Sequence, residues 1–147
     1  MLNGKTIYLI EDNPTNLAII SAILRRNEAN VRYDRWGVDT FKRLARSGRV
    51  DLIILDLMFP NGVSGYELFD QIKALPGFAN TPIVAVSAAD SQVEMPKAKA
   101  RGFMGYISKP INNKVFPRQI AAVIAGKQVW EDSDLSMYNI DQEETYR

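Results

Sequence analysis

The chain has 147 residues, 46% of them hydrophobic and 24% charged, which suits one globular domain with its own core. Cysteine and histidine are both missing. That excludes disulfides, thiolate and Ser-His catalysis and any Cys- or His-ligated metal, so a bound metal would be held by oxygen.

Net charge is +1, so no global field draws the chain to nucleic acid. No apolar run approaches the roughly 20 residues that cross a bilayer. The N-terminus also lacks a signal-peptide core, and a cytoplasmic location away from membranes is expected.

In chain order, Ile7-Tyr8-Leu9-Ile10 comes first, a continuous apolar run. Continuity rather than alternation marks a parallel strand covered on both faces. Glu11-Asp12 follow, and Asn13-Pro14 form a helix start, with Asn as cap and Pro at the first helical position. Leu17, Ile20 and Leu24 then lay an apolar stripe. Val31-Arg32-Tyr33 predicts a weaker strand, and Val38, Phe41 and Leu44 repeat every three for a second helix. Leu52-Ile53-Ile54-Leu55 is the third strand, ended by Asp56. Leu68, Ile72 and Leu75 mark a third helix, and Ile83-Val84-Ala85-Val86 a fourth strand ended by Ser87.

Residues 90–101 are the poorest helix candidate, because Pro96 leaves room only for a short or kinked one. Met104-Gly105-Tyr106-Ile107 predicts a fifth strand with Lys109 just beyond it. Phe116, Ile120 and Ile124 predict a fifth helix, whose first turn Pro117 stands to distort. The pattern ends near Ala125-Gly126, which divides the chain into a domain over residues 1–126 and an acidic tail over 127–147.

Charge is unevenly spread. The tail is −4 and the remainder +5. Arg25, Arg26, Arg32, Arg35, Lys42, Arg43, Arg46 and Arg49 crowd residues 25–49. A solvated face is the plain reading. The sharper one is a docking surface for an acidic partner, the tail included.

Strand and helix alternate five times, which implies a parallel α/β sheet with ligands at the carboxyl ends of its strands. There Glu11, Asp12, Asp56, Ser87 and Lys109 would meet. Each has a dull explanation alone: helix-entry caps, a turn-forming Asp, a capping Ser, a surface Lys. Together they matter more, because clustered carboxylates repel unless a cation offsets them. A divalent ion bound to oxygens is the natural offset.

These residues sit in LIEDNP, ILDLMFPNGVSG, VAVSAAD and YISKP, and their order and spacing resemble the receiver domain of two-component response regulators over about residues 5–125. The resemblance implies a flavodoxin-like, CheY-like fold, a five-stranded parallel sheet of order 2-1-3-4-5 sandwiched by five helices. It makes Asp56 the phosphorylation site. It gives Mg²⁺ to Glu11, Asp12, Asp56 and the backbone carbonyl of Met58. Ser87, the backbone of Ala88 and Lys109 would bind the phosphoryl group, Tyr106 would swing as Ser87 moves, and the Lys109–Pro110 peptide would be cis.

The implied partners are a histidine kinase or histidine phosphotransfer protein and a downstream protein met through the fourth helix, fifth strand and fifth helix. A homodimer is allowed; nucleic acid and membrane are not implied. The implied role is a switch, with no catalysis beyond its own phosphoryl transfer and dephosphorylation.

Departures from the family pattern are local. The loop after Asp56 is one residue longer than the common form, and Pro96 and Pro117 fall on the output face. By the resemblance, Met58 and Ala89 flank the route of water to the phosphoryl group; neither has a group to orient it, so slow self-dephosphorylation is expected. Two other functions fit these residues less well. An aspartyl-nucleophile phosphatase would want an acid where Met58 stands, and a degenerate scaffold would not keep all five polar positions.

Overall fold

The computed structural model describes residues 1–130, apart from Val38 and the side chain of Asn61. Val38 of the predicted second-helix stripe and the acidic stretch from Glu131 onward lie outside the described residues.

The apolar runs become strands because helices cover both of their faces. β1 (Thr6–Ile10), β2 (Asn30–Asp34), β3 (Leu52–Leu55), β4 (Ile83–Ser87), β5 (Gly105–Ser108) and β6 (Val129–Trp130) form one sheet. Its order is β2-β1-β3-β4-β5-β6, and every pairing is parallel.

The expected order holds over the first five strands, and a sixth is added. Two residues are too few to show a period, so Val129–Trp130 left no strand signal in the sequence.

Side chains along each strand point alternately to the two faces. Ile7, Leu9, Leu52, Ile54, Val84, Val86 and Ile107 join one cluster, and Tyr8, Ile10, Ile53, Leu55, Ile83, Ala85 and Tyr106 the other. α1 (Pro14–Arg26) and α5 (Phe116–Ile124) close the first cluster with Leu17, Ile20, Leu24, Phe116 and Ile120. α2 (Thr40–Ala45), α3 (Gly65–Lys73) and α4 (Ser91–Arg101) close the second with Leu44, Leu68, Phe69, Ile72 and Ala98. Each fully buried aliphatic side chain contributes about 1.5–3 kcal/mol.

Helix ends follow the local chemistry. Asn13 caps α1 by accepting from the Asn16 N–H, with Pro14 in the first turn, as its sequence predicts. α4 is not short, one of the two forms expected of it. It runs 11 residues, with Pro96 inside it. Asp90 caps its start and Gly102, at φ 110°, stops it, so the ends are fixed despite the proline. The Pro96 ring is exposed, and only one helical hydrogen bond is forgone.

Pro117 lies in the first turn of α5, where a backbone N–H has no helical partner anyway. Among the described residues, no helix is long and apolar enough to cross a membrane.

Candidate functional site

The chain leaves β1 for β2 on one side and returns to β3 on the other. That reversal opens a crevice at the carboxyl ends of β1 and β3. Ile10 and Leu55 are register partners, and the Asp56 N–H donates to the Ile10 carbonyl at 3.1 Å. Glu11 and Asp56, the next residue on each strand, therefore stand side by side.

Lys109 arrives from the end of β5, anchored by its N–H on the Ser87 carbonyl at 2.9 Å. Its Nζ lies 2.8 Å from Glu11 Oε2 and 3.2 Å from Asp56 Oδ2. Glu11 is only 2% exposed and Asp56 8%.

Burial pushes the Glu11 carboxyl above its ordinary pKa; the Asp56 charge adds to this, and the Lys109 hydrogen bond opposes it. Two carboxylates in so dry a place need the ammonium between them. Their remaining oxygens are also used: Asp56 Oδ1 accepts from the Met58 N–H at 3.2 Å, and Glu11 Oε1 from the Asn13 N–H at 3.2 Å.

Ser87 closes β4, fully buried. Its Oγ accepts from the Ala89 N–H at 3.1 Å, and the Tyr106 hydroxyl donates to the Ala89 carbonyl at 3.0 Å. Tyr106 is fully buried too, and burial pushes its phenol pKa up. One residue, Ala89, thus links the strand-end hydroxyl to the aromatic ring through its N–H and its carbonyl.

The other expected residues sit around this centre. Asp12 is half-buried at the rim, and its carbonyl accepts from Arg35 Nε at 3.0 Å. Met58 is 64% exposed, on the open side of the site. Ala88 is exposed, and the Lys109–Pro110 peptide is cis. Among the described residues, no three His, Cys, Asp or Glu side chains converge as a ready-made metal cage.

The longer loop after Asp56 is taken up by a 3₁₀ turn at Pro60–Gly62 and closed by a bridge between Met58 and Ser64. α3 then starts hard against the Asp56 backbone. A Cβ on Gly65 would stand 2.4 Å from the Asp56 carbonyl oxygen. That need for glycine went unread in the sequence, as did Arg35.

The basic residues of 25–49 are exposed, and several of them are paired locally. Arg43 binds the buried Asp34 through two contacts of 2.8 Å, Arg49 pairs with Asp51, and Arg32 donates to the Ser47 carbonyl.

Comparison with known proteins agrees with this geometry. The family model for the response regulator receiver domain matches residues 7–121. The protein PilH of Pseudomonas aeruginosa is 26% identical over 120 residues, covering 82% of this chain and 98% of PilH. The signal transduction histidine-protein kinase BarA of Escherichia coli K12 is 30% identical over 109 residues, 74% of this chain but 12% of that kinase. Among solved structures, the receiver domain of the sensor histidine kinase PA1611 from P. aeruginosa has a TM-score of 0.73 at 28% identity, covering 84% of this chain and 99% of that one. That structure holds a magnesium ion in its active-site cleft. A sheet of this order, with a lysine bridging two buried strand-end carboxylates, and a family match spanning most of the chain lead to one conclusion: the chain belongs to the response regulator receiver domain family.

Proposed function

We propose that the chain is a phosphorylation-dependent signalling switch that accepts a phosphoryl group on Asp56 from a histidine kinase or histidine phosphotransfer protein. The supporting observation is the bridge that Lys109 makes between Glu11 and Asp56 at 2.8 and 3.2 Å. A carboxylate can serve as nucleophile without a general base, because it is ionised near neutrality. A carboxylate oxygen of Asp56 bonds to phosphorus as the bond from phosphorus to the donor imidazole nitrogen breaks. The nitrogen leaves with the electron pair and takes a proton from solvent. In-line positioning and neutralisation of charge are all the step asks of the protein. Lys109 supplies fixed positive charge, first to Asp56 and then to the phosphoryl oxygens.

The donors fit Mg²⁺. All are oxygen, and this ion is commonly bound by one or two carboxylates plus water and phosphate rather than by a closed protein cage. Glu11, Asp12, Asp56 and the Met58 carbonyl would hold it, and when bound it would supply positive charge that offsets the carboxylates and the incoming phosphoryl group.

Output follows from the added charge and acceptors of the phosphoryl group. Ser87 and the Ala88 N–H bind its oxygens when their loop lies inward. Tyr106 in its buried position accompanies that arrangement, and α4, β5 and α5 present it to a downstream protein. The switch does not turn over an external substrate.

The test is intact mass after acetyl phosphate treatment, with and without Mg²⁺. Wild type gains one phosphoryl group only with the ion, and Asp56→Asn gains none. Equal labelling of Asp56→Asn and wild type contradicts the assignment.

A further inference from the structure

The far edge of the sheet holds a residue that no step above has used. β6 pairs Val129 with Gly105 and Trp130 with Tyr106. The close approach needs glycine: a Cβ on Gly105 would stand 2.6 Å from the Val129 carbonyl oxygen. Val129 is buried in the cluster under α1 and α5, while Trp130 packs against the opposite cluster, the one containing Tyr106.

In-register neighbours on parallel strands project to the same face, one strand spacing apart. Tyr106 therefore has Ala85 of β4 on its inner side and Trp130 on its outer side. Ala85 leaves room; Trp130 is the wall. That wall is itself held. Lys99 Nζ of α4 lies 5.0 Å from the indole centroid, and the indole N–H donates to Gln128 Oε1 at 2.8 Å.

We propose that Trp130 is a positioning residue of the switch, holding Tyr106 in its buried place and through it the loop that carries Ser87. The inference rests on the phosphorylation reading above. Without β6, β5 would be the sheet edge, and the Tyr106 ring would have solvent on its outer side. With β6 in place, a departing ring must displace the indole and break its contact with Lys99. The Tyr106 hydroxyl holds the Ala89 carbonyl, and the Ala89 N–H holds Ser87 Oγ, so freedom at the ring becomes freedom at the serine. Apparent affinity for a phosphoryl group scales with the fraction of molecules whose loop is already placed.

The probe is beryllofluoride with Mg²⁺, titrated by amide chemical shifts, in wild type, Trp130→Ala, Trp130→Phe and Gly105→Ala. Trp130→Ala weakens binding by about three- to tenfold, and Trp130→Phe restores most of it. Gly105→Ala displaces β6 while keeping the indole and weakens binding in the same direction. It and Trp130→Phe keep the proposal open to refutation if Trp130→Ala does not fold. Tyr106 ring resonances broaden or average in the weakened variants and stay single in wild type. Wild-type affinity in folded Trp130→Ala, or in Gly105→Ala, overturns the proposal while leaving the phosphorylation reading intact. A wild type that binds no beryllofluoride overturns both.

Discussion

Lys109 faces two buried carboxylates at once, and its removal has two separate effects. In metal-free protein, Lys109→Ala leaves Glu11 and Asp56 opposed with no cation between them. Losing one partner from a buried charge set costs about 3–5 kcal/mol, to be read from urea midpoints, with part recovered on adding Mg²⁺. The rate of labelling by acetyl phosphate falls by about 10²-fold, as for loss of one preorganised charge donor.

Met58 gives a third expectation. On the phosphorylation proposal its side chain, 64% exposed and with no group to orient water, predicts a long-lived phosphoryl group. Met58→Asn shortens that lifetime several-fold, and a wild-type lifetime of seconds would contradict the expectation.

Away from the site, Tyr8 donates to Asp34 at 3.1 Å beside Arg43. Burial and the Asp34 charge push the Tyr8 phenol from 10.0 up to about 12. A raised folded pKa means the contribution to stability is complete below pH 10 and lost as pH climbs towards 12. Tyr8→Phe flattens that part of the alkaline decline in thermal melts. Asp34→Ala leaves the phenol unpaired and costs about 1–3 kcal/mol.

At the scale of elements, strands and strand-end residues were legible wherever an apolar run was continuous and stopped on a polar side chain. Glu11, Asp56, Ser87 and Lys109 were found that way, because a parallel sheet delivers all its carboxyl ends to one edge. Elements governed by non-local contacts were not legible. β6 exists because Gly105 admits the Val129 carbonyl, a fact no window around residue 129 contains. Gly65 is glycine because α3 abuts the Asp56 backbone, which is equally invisible along the chain.

The length of α4 is hard to read along the chain for a related reason. Propensity counts Pro96 against the helix, while the Asp90 cap, the Gly102 stop and burial of Ala98 set the outcome. The proline still forfeits one helical bond, so Pro96→Ala stabilises the fold by about 1–3 kcal/mol, measurable as a higher urea midpoint with unchanged slope. A lower midpoint would mean that the ring itself matters to the helix.

At the scale of the whole molecule, two apolar clusters pack against the sheet, one on each face, and the crevice opens where strand order reverses. The layering followed from composition and alternation alone. The chemistry needed the conjunction of residues from the ends of β1, β3, β4 and β5, whose meeting only the assembled sheet guarantees. The sheet's sixth strand was beyond the sequence, because two residues carry no period.

The central claim is that phosphorus becomes bonded to the side chain of residue 56. Borohydride reduction of protein labelled by acetyl phosphate and Mg²⁺ converts an aspartyl phosphate to homoserine, and peptide mass mapping locates it. Homoserine at position 56 alone is the predicted result; homoserine elsewhere, or none from protein that carries the label, would contradict the account.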